Sequence, residues 1–382
     1  MSTTPLTTSE KHRAAHANPA GPGDARPTAL DIIADENLLV KENPPALTGK
    51  KILITGASSG IGVETARALH ATGADIYIAV RNVAAGQKIA EEIKNEARGG
   101  GTIKVLELEL GSLESVRRCA EAFGKESDTL NVFVANAGVM ACPFSLTVDG
   151  YETQFACCHL GHFLLFQLLR PHLLRGATPE FASRYVSLSS IAHRRATVDF
   201  NDINFAKREY DPWVAYGQAK TANIWMANEI ERRFGAQGLH ANSVHPVKRR
   251  SHFPRTGGPK RCSFSLTFFS FFLLLCIQGG IFTPLQRHLA QSVIDQWNEP
   301  SVAVHMKSPA QGAATSVWAA VSREWEGKGG KYLAEVDVAQ PQGVDAEGKP
   351  TQMGYKPWAY DVEGAQKLWE VSNQMVGFVE KV

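Results

Sequence analysis

An excess of charge of either sign is missing from this chain. Its 40 basic residues stand against 38 acidic ones, so the overall balance predicts neither a nucleic-acid partner nor an anionic membrane surface. Cysteine is scarce too: the six residues at 119, 142, 157, 158, 262 and 276 have neither metal-ligand spacing nor the layout of a disulfide framework. Free thiols in a reducing compartment, and no metal, are expected. The apolar run Ser263 to Ile277 is 15 residues long, short of the roughly 20 that a membrane span needs. The first residues are polar and prolyl with no apolar signal-like stretch, which predicts a cytoplasmic protein. Successive helices and strands differ in sequence, which excludes a repeat architecture.

What remains is ample apolar material, 44% of 382 residues, enough for one large core. The stretch around which the chain is organised is Lys51 to Gly62, K-I-L-I-T-G-A-S-S-G-I-G. A short buried strand, Ile52 to Ile54, runs into Gly56, Gly60 and Gly62, and Val63 to His70 then reads as a helix. Small residues let the backbone approach a ligand closely. The free amides and dipole of the first helical turn favour a pyrophosphate.

In chain order, Met1 to Arg26 has the composition of a disordered segment, and Asp31 to Val40 reads as a short helix, so 1–45 is expected to be a polar tail. Strands are predicted at Asp75 to Val80, Thr102 to Leu108, Leu130 to Ala135, Arg184 to Leu188, Leu239 to Val244 and Gly330 to Leu333. Helices are predicted at Val83 to Ala97, Leu113 to Phe123, Tyr151 to Leu174, Ala215 to Phe234, Pro309 to Val321 and Val362 to Met375. This alternation is repeated βαβ. It predicts one α/β domain over 46–382, a Rossmann-type doubly wound parallel sheet covered by helices on both faces.

Several motifs then occur in a fixed order: T-G-A-S-S-G-I-G at 55–62, N-A-G at 136–138, H-L-G-H-F at 159–163, S-S at 189–190, Y-G-Q-A-K at 216–220 and H-P at 245–246. With these motifs the sequence resembles the short-chain dehydrogenase/reductase family, and within it the fungal members of the retinol-dehydrogenase and WW-domain-oxidoreductase-like branch. The resemblance spans roughly Ala46 to Gly377. It implies hydride transfer between a nicotinamide cofactor and an alcohol or carbonyl, and relatives that pair through their long helices.

Such chemistry needs a proton donor for the developing alkoxide. A tyrosine hydroxyl, with a reference pKa of about 10, is a poor one alone. Lys220 lies four residues after Tyr216 on one helical face, where its cation is expected to lower the phenol pKa. Tyr216 is therefore the predicted acid-base. The resemblance adds that Lys220 binds the nicotinamide ribose and that Ser190, the second serine of its pair, polarises the substrate carbonyl.

Gly56, Ser58, Ser59, Gly60, Ile61 and Gly62 are assigned to the phosphate-binding turn. Asn136, Ala137 and Gly138 are assigned to the loop after the fourth strand, and Glu109 to the place near the adenine where many relatives carry aspartate. Arg81 directly follows the second strand, where an acidic residue would hold a ribose 2′-hydroxyl; a guanidinium there favours a 2′-phosphate, hence NADP(H) over NAD(H). A lipophilic alcohol or carbonyl compound is the expected substrate.

Two departures from the family pattern stand out. Cys158 occupies the place of an asparagine that organises a proton-relay water in relatives, and a thiol is a weaker donor and acceptor than an amide. This supplies the alternative reading of a nucleotide-binding protein with impaired turnover. The second departure is Val247 to Gln278, which separates His245-Pro246 from Gly279-Gly280-Ile281 although relatives run directly from one to the other. It carries six basic and no acidic residues, followed by a Phe- and Leu-rich run.

A valine codon begins GT, a glutamine codon can be CAG, and a Phe/Leu/Ser run is what a pyrimidine-rich tract encodes. We read the segment as a retained intron. A peripheral membrane insertion and a disordered cytosolic insertion are the alternatives, and any membrane association depends on this segment. Without it the formal charge goes from +2 to −4 and the cofactor loop is restored in frame, with Ile281 and Thr283 as nicotinamide-loop contacts.

Overall fold

The computed structural model describes residues 6–39, 46–96, 99–246, 280–344 and 354–380; Val247 to Gln278 lies outside the described residues. Strand β1 (Lys51–Thr55) is followed by α3 (Ile61–His70), β2 (Asp75–Val80), α4 (Val83–Asn95), β3 (Ile103–Glu107), α5 (Leu113–Glu126) and β4 (Val132–Ala135). These strands join β5 (Ser183–Leu188), β6 (Leu239–His245), β7 (Tyr332–Ala334) and β8 (Asp337–Val338) in one sheet of order β3-β2-β1-β4-β5-β6-β7-β8. All pairings are parallel except β7 with β8. The order reverses between β1 and β4, so a crevice opens at their carboxyl ends.

Alternation along each strand divides the core in two. Leu53, Tyr77, Phe133 and Tyr185 face one layer with Phe123 of α5, and Ile52, Ile54, Ile76, Ile78, Val132 and Val134 face the other. Behind the first layer lie α7 (Gly161–Gly176) and α8 (Pro212–Phe234), and their outer sides are capped by α12 (Val362–Met375). Trp369 of α12 packs edge-on against Phe163 and Phe166 at centroid separations of 5.1 and 6.1 Å. The second layer is closed by α3, α2 (Ala29–Asp35) and α11 (Pro309–Val321).

Helix α8 starts where its sequence says it should. Pro212 occupies the first turn, where no amide hydrogen is needed, and the Asp211 carboxylate accepts from the amides of Trp213 and Val214 at 2.7 and 3.1 Å. The predicted single helix over Tyr151 to Leu174 is not continuous. A short turn, α6 (Thr153–Phe155), leads into a π turn at Ala156–Leu160 before α7 begins. Such bulges recur at functional sites. This one contains Cys157 and Cys158.

The N-terminal segment departs most from expectation. Thr8–Arg13 forms α1, closed by a reciprocal capping box between Thr7 and Glu10. Thr8 donates to Glu36 at 2.6 Å, the Ser9 amide donates to Glu324 at 3.1 Å, and Arg26 is only 3% exposed. The low hydrophobicity that suggested disorder reflects an attachment made mainly of hydrogen bonds to carbonyls and carboxylates. Helix α2 begins earlier than predicted, because Thr28 and Asp31 form a second capping box, and it buries Ile32 and Ile33 completely.

Candidate active site

A cavity of about 610 Å³ lies at the carboxyl ends of β1, β4 and β5. Its floor is the β1–α3 turn. Gly60 has φ 61° and ψ −138°, a conformation that side chains rarely tolerate, and it ends directly in the first turn of α3. A Cβ on Gly62 would lie 2.5 Å from the Gly56 carbonyl oxygen and 2.7 Å from Asn136 Nδ2. Only hydrogen fits there, and the helix N-terminus is consequently presented bare to the cavity, as an anion-binding turn requires. Gly56, Ser58, Ser59, Gly60, Ile61, Gly62, Asn136, Ala137 and Gly138 all line it.

Asn136 ties this floor together. Its Nδ2 donates to the Thr55 carbonyl at 2.8 Å, while the amides of Asn136 and Ala137 both donate to Thr55 Oγ1 at 3.0 Å. With its lone pairs so engaged, Thr55 must donate its own hydrogen to His162 Nε2, 2.8 Å away. His162 then carries its proton on Nδ1 and donates to the Cys158 carbonyl at 3.1 Å. The ring is buried, which pushes its pKa down to about 4 and keeps it neutral. Sequence reasoning passed over this link; its signal is the second histidine of H-L-G-H-F.

Beyond the ends of β2 and β3, Arg81 and Glu109 both border the cavity and face one another at 3.5 Å. Their side chains are 75% and 40% exposed, so the pair is weak. The Glu109 carboxylate also accepts from the Gly111 amide at 3.1 Å.

At the other end Tyr216 and Lys220 share the inner face of α8, with the ammonium 5.4 Å from the phenol ring centre. Lys220 Nζ donates to the Leu188 carbonyl at 2.9 Å, and Asn223 Nδ2 donates to the same oxygen at 2.9 Å. That carbonyl, at the end of β5, fixes the lysine. The expectation that Lys220 lowers the Tyr216 pKa is not met in this structure. Burial raises it, the neighbouring Cys158 adds to the rise, and a hydrogen bond with Ser190 opposes it. The cation is directed at Leu188, so desolvation of the phenolate dominates.

The two serines divide their work. Ser189 borders the cavity, but its hydroxyl is engaged with the Lys220 carbonyl at 2.7 Å. Ser190 is absent from the cavity wall, yet its hydroxyl meets that of Tyr216. The hydroxyl contact puts Ser190, rather than Ser189, beside the Tyr216 phenol. Cys158 is fully buried; its Sγ donates to the Val139 carbonyl at 3.4 Å and would sit 3.2 Å from a Cβ on Gly138.

Thr283 lines the cavity and abuts Gly60, where an added Cβ would meet its Cγ2 at 3.0 Å. Ile281 does not line it. This residue is 5% exposed and packs toward Gly312, so of the two predicted loop contacts only Thr283 reaches the cavity. The packing around Tyr216 is apolar, made by Met140, Ala141, Ala192, Trp213, Leu285 and Leu289, of which Leu285 also lines the cavity. No local motif foretold it, because these residues converge from four separate segments.

A short chain dehydrogenase family model matches residues 50–201. Short-chain dehydrogenase/reductase prx1 of Penicillium roqueforti is 44% identical over 371 residues, covering 97% of this chain and 96% of that protein. The chain belongs to the short-chain dehydrogenase/reductase family. Other members similar to it are oxidoreductase calI of Penicillium decumbens, 39% identical over 96% of this chain and 98% of that one, and human retinol dehydrogenase 12, 33% identical over 87% of each. Among solved structures of the fold, an uncharacterised Mycobacterium paratuberculosis protein superposes with TM-score 0.59 at 29% identity, covering 88% of this chain and 97% of that one. The Pseudomonas aeruginosa RhlG/NADP active-site complex gives 0.53 at 21%, covering 75% and 95%.

No helix among the described residues is long and apolar enough to cross a membrane.

Proposed function

We propose that this short-chain dehydrogenase/reductase is an NADP(H)-preferring oxidoreductase interconverting a lipophilic alcohol and its aldehyde or ketone, with Tyr216 as acid-base. The observation that carries the reading is the placement of Tyr216 and Lys220, with the Ser190 hydroxyl against that of Tyr216, at one end of a cavity that also holds a glycine turn at a helix N-terminus. Gly56 to Gly62, with Asn136, Ala137 and Gly138, fit the pyrophosphate and the backbone of a dinucleotide. Arg81 offers an exposed guanidinium for a 2′-phosphate. NADP in the RhlG complex agrees with that choice.

The bound nicotinamide supplies or accepts the hydride. This chain's own residues do the rest. The Ser190 hydroxyl and the Tyr216 phenol donate to the carbonyl oxygen, and Tyr216 releases its proton to that oxygen as negative charge develops. Burial keeps the phenol protonated through neutral pH, which suits the reducing direction. Lys220, held by the Leu188 carbonyl, keeps hydrogen-bonding capacity for the ribose side of the cavity. Leu285, on the cavity wall and backed by the apolar cluster of Met140, Trp213 and Leu289, favours an apolar substrate body.

A second reading, nucleotide binding with impaired turnover, is favoured by Cys158, whose thiol replaces an amide beside Gly138. NADPH oxidation with a panel of aldehydes and ketones, run on the wild type and on Cys158→Asn, separates the two. Turnover by the wild type supports the oxidoreductase. Nucleotide binding without turnover, with activity appearing only in Cys158→Asn, supports the second reading.

A further inference from the structure

The N-terminal strap, residues 20–26, reaches the cofactor cavity through a chain of contacts that no motif announces. Arg26 lies 3% exposed and donates from Nη1 to the His305 carbonyl at 3.2 Å, from Nη2 to the carbonyls of Met306 at 2.6 Å and Gly21 at 3.0 Å, and from Nε to Asp24 at 2.8 Å. Every contact is made to backbone or to the strap's own carboxylate. Such a planar fork reads the position of a loop rather than the identity of its side chains.

The loop it grips is the one that carries Thr283. The amide of Lys307, next to Met306, donates to the Gly280 carbonyl at 3.1 Å, and Ile281 and Lys307 pair as a parallel bridge. The Gly280 amide points to Met306 Sδ at 3.2 Å. From there the Ile281 carbonyl accepts from Gln286 at 2.7 Å, and Gln286 accepts from the Thr283 amide at 2.8 Å. Thr283 then abuts Gly60 at the floor of the cavity.

A second tie reinforces the first. Gln311, in the first turn of α11 and 1% exposed, accepts from the Gly23 amide at 3.0 Å and donates to the carbonyls of Asp24 at 3.2 Å and Arg26 at 3.1 Å. Its neighbour Gly312 faces Ile281, which a Cβ there would meet at 2.2 Å. The strap therefore holds both the segment before α11 and the start of α11 itself.

We infer that Arg26 is a positioning residue for the cofactor: through the Met306 carbonyl and the Ile281–Lys307 bridge it sets Thr283 against the glycine turn. The inference rests on the dinucleotide-binding reading above. It demands an effect greatest beside Thr283 and least at Arg81 and Glu109, since neither of those belongs to this chain of contacts.

Two ligands distinguish that effect from general loosening. NADPH spans the whole cavity, whereas adenosine 2′,5′-bisphosphate fills only the adenosine end, and both can be titrated by calorimetry without turnover. For Arg26→Ala the expected result is a rise of about tenfold in the NADPH dissociation constant, the size of a typical coupling through packed contacts, with a smaller rise for the bisphosphate, which reaches the glycine turn but not Thr283 itself. Arg26→Lys, which keeps the charge beside Asp24 but not the fork, should fall between the two, and it takes the place of Arg26→Ala if that variant does not fold. Equal weakening of both ligands, or no change in either, overturns the positioning role. A wild type that binds neither ligand overturns the dinucleotide reading itself, and the inference with it.

Discussion

The two ends of the cavity are built by different means. The glycine turn comes from seven consecutive residues, Gly56 to Gly62, which pack so closely that a Cβ at 62 would strike the carbonyl of 56. The Tyr216 end assembles Tyr216 from α8, Ser190 from the end of β5 and Cys158 from a π turn, and Thr283, from a loop gripped by an N-terminal strap, comes in against Gly60 between the two ends. Local sterics specify the first, and long-range polar contacts specify the second. Perturbations should accordingly act on one end while sparing the other.

The largest separation is expected from Tyr216→Phe. Removing the proton donor should lower kcat for carbonyl reduction by about 10³-fold, within the range for general acid catalysis, with NADPH affinity unchanged in a calorimetric titration. Equal loss of binding would show that the two ends are not independent.

Acid should open the acid-base side first. Burial is the leading cause that pushes His159 down to about 3 and His162 and His193 down to about 4, all on or beside the elements that carry Cys158 and Ser190. Their folded values lie below the unfolded value of 6.5, so the unfolded chain binds more protons as pH falls. Stability is complete above 6.5 and is lost progressively down to 4, by about 3 kcal/mol each for His162 and His193. Hydrogen exchange at successive pH values should show α7, the Ile191–Arg194 turn and the Thr55 end of β1, which bonds His162, losing protection before β2 and β3. Simultaneous loss everywhere would erase the comparison.

Gly62→Ala attacks the other end. Overpacking against the Gly56 carbonyl should cost about 1–3 kcal/mol in thermal unfolding and weaken both NADPH and adenosine 2′,5′-bisphosphate. The smallest effect is expected at the exposed adenosine rim. There Arg81→Gln should lower the NADPH-to-NADH ratio of kcat/KM by about tenfold, one charge-assisted contact, while leaving kcat with saturating NADPH unchanged.

Much of this was legible in the sequence. The strand-turn-helix at 51–70, the alternation of β and α, and the pairing of Tyr216 with Lys220 all follow from periodicity and residue chemistry, because each depends on neighbours within about two helical turns. Three things were not. The N-terminal segment reads as disordered by composition, since its attachment uses polar groups whose partners lie hundreds of residues away, as Ser9 with Glu324 does. The break of the helix at Ala156–Leu160 leaves no proline or glycine to mark it. Nor does any local pattern announce that α12 brings Trp369 onto the face shared by Phe163, Phe166 and Phe234.

By itself, then, the sequence determined the fold class, the glycine turn and the helical pairing of Tyr216 with Lys220, the proposed catalytic pair, since these rest on short-range sterics and on side-chain chemistry written in order along the chain. Only the tertiary structure decided the environment of that pair. It engages Lys220 with the Leu188 carbonyl, lets burial raise the Tyr216 pKa, separates the roles of Ser189 and Ser190, and sets Thr283 rather than Ile281 at the cavity. The reason is physical: desolvation and hydrogen-bond competition depend on which groups are packed together, and contacts between distant segments leave no period in the sequence.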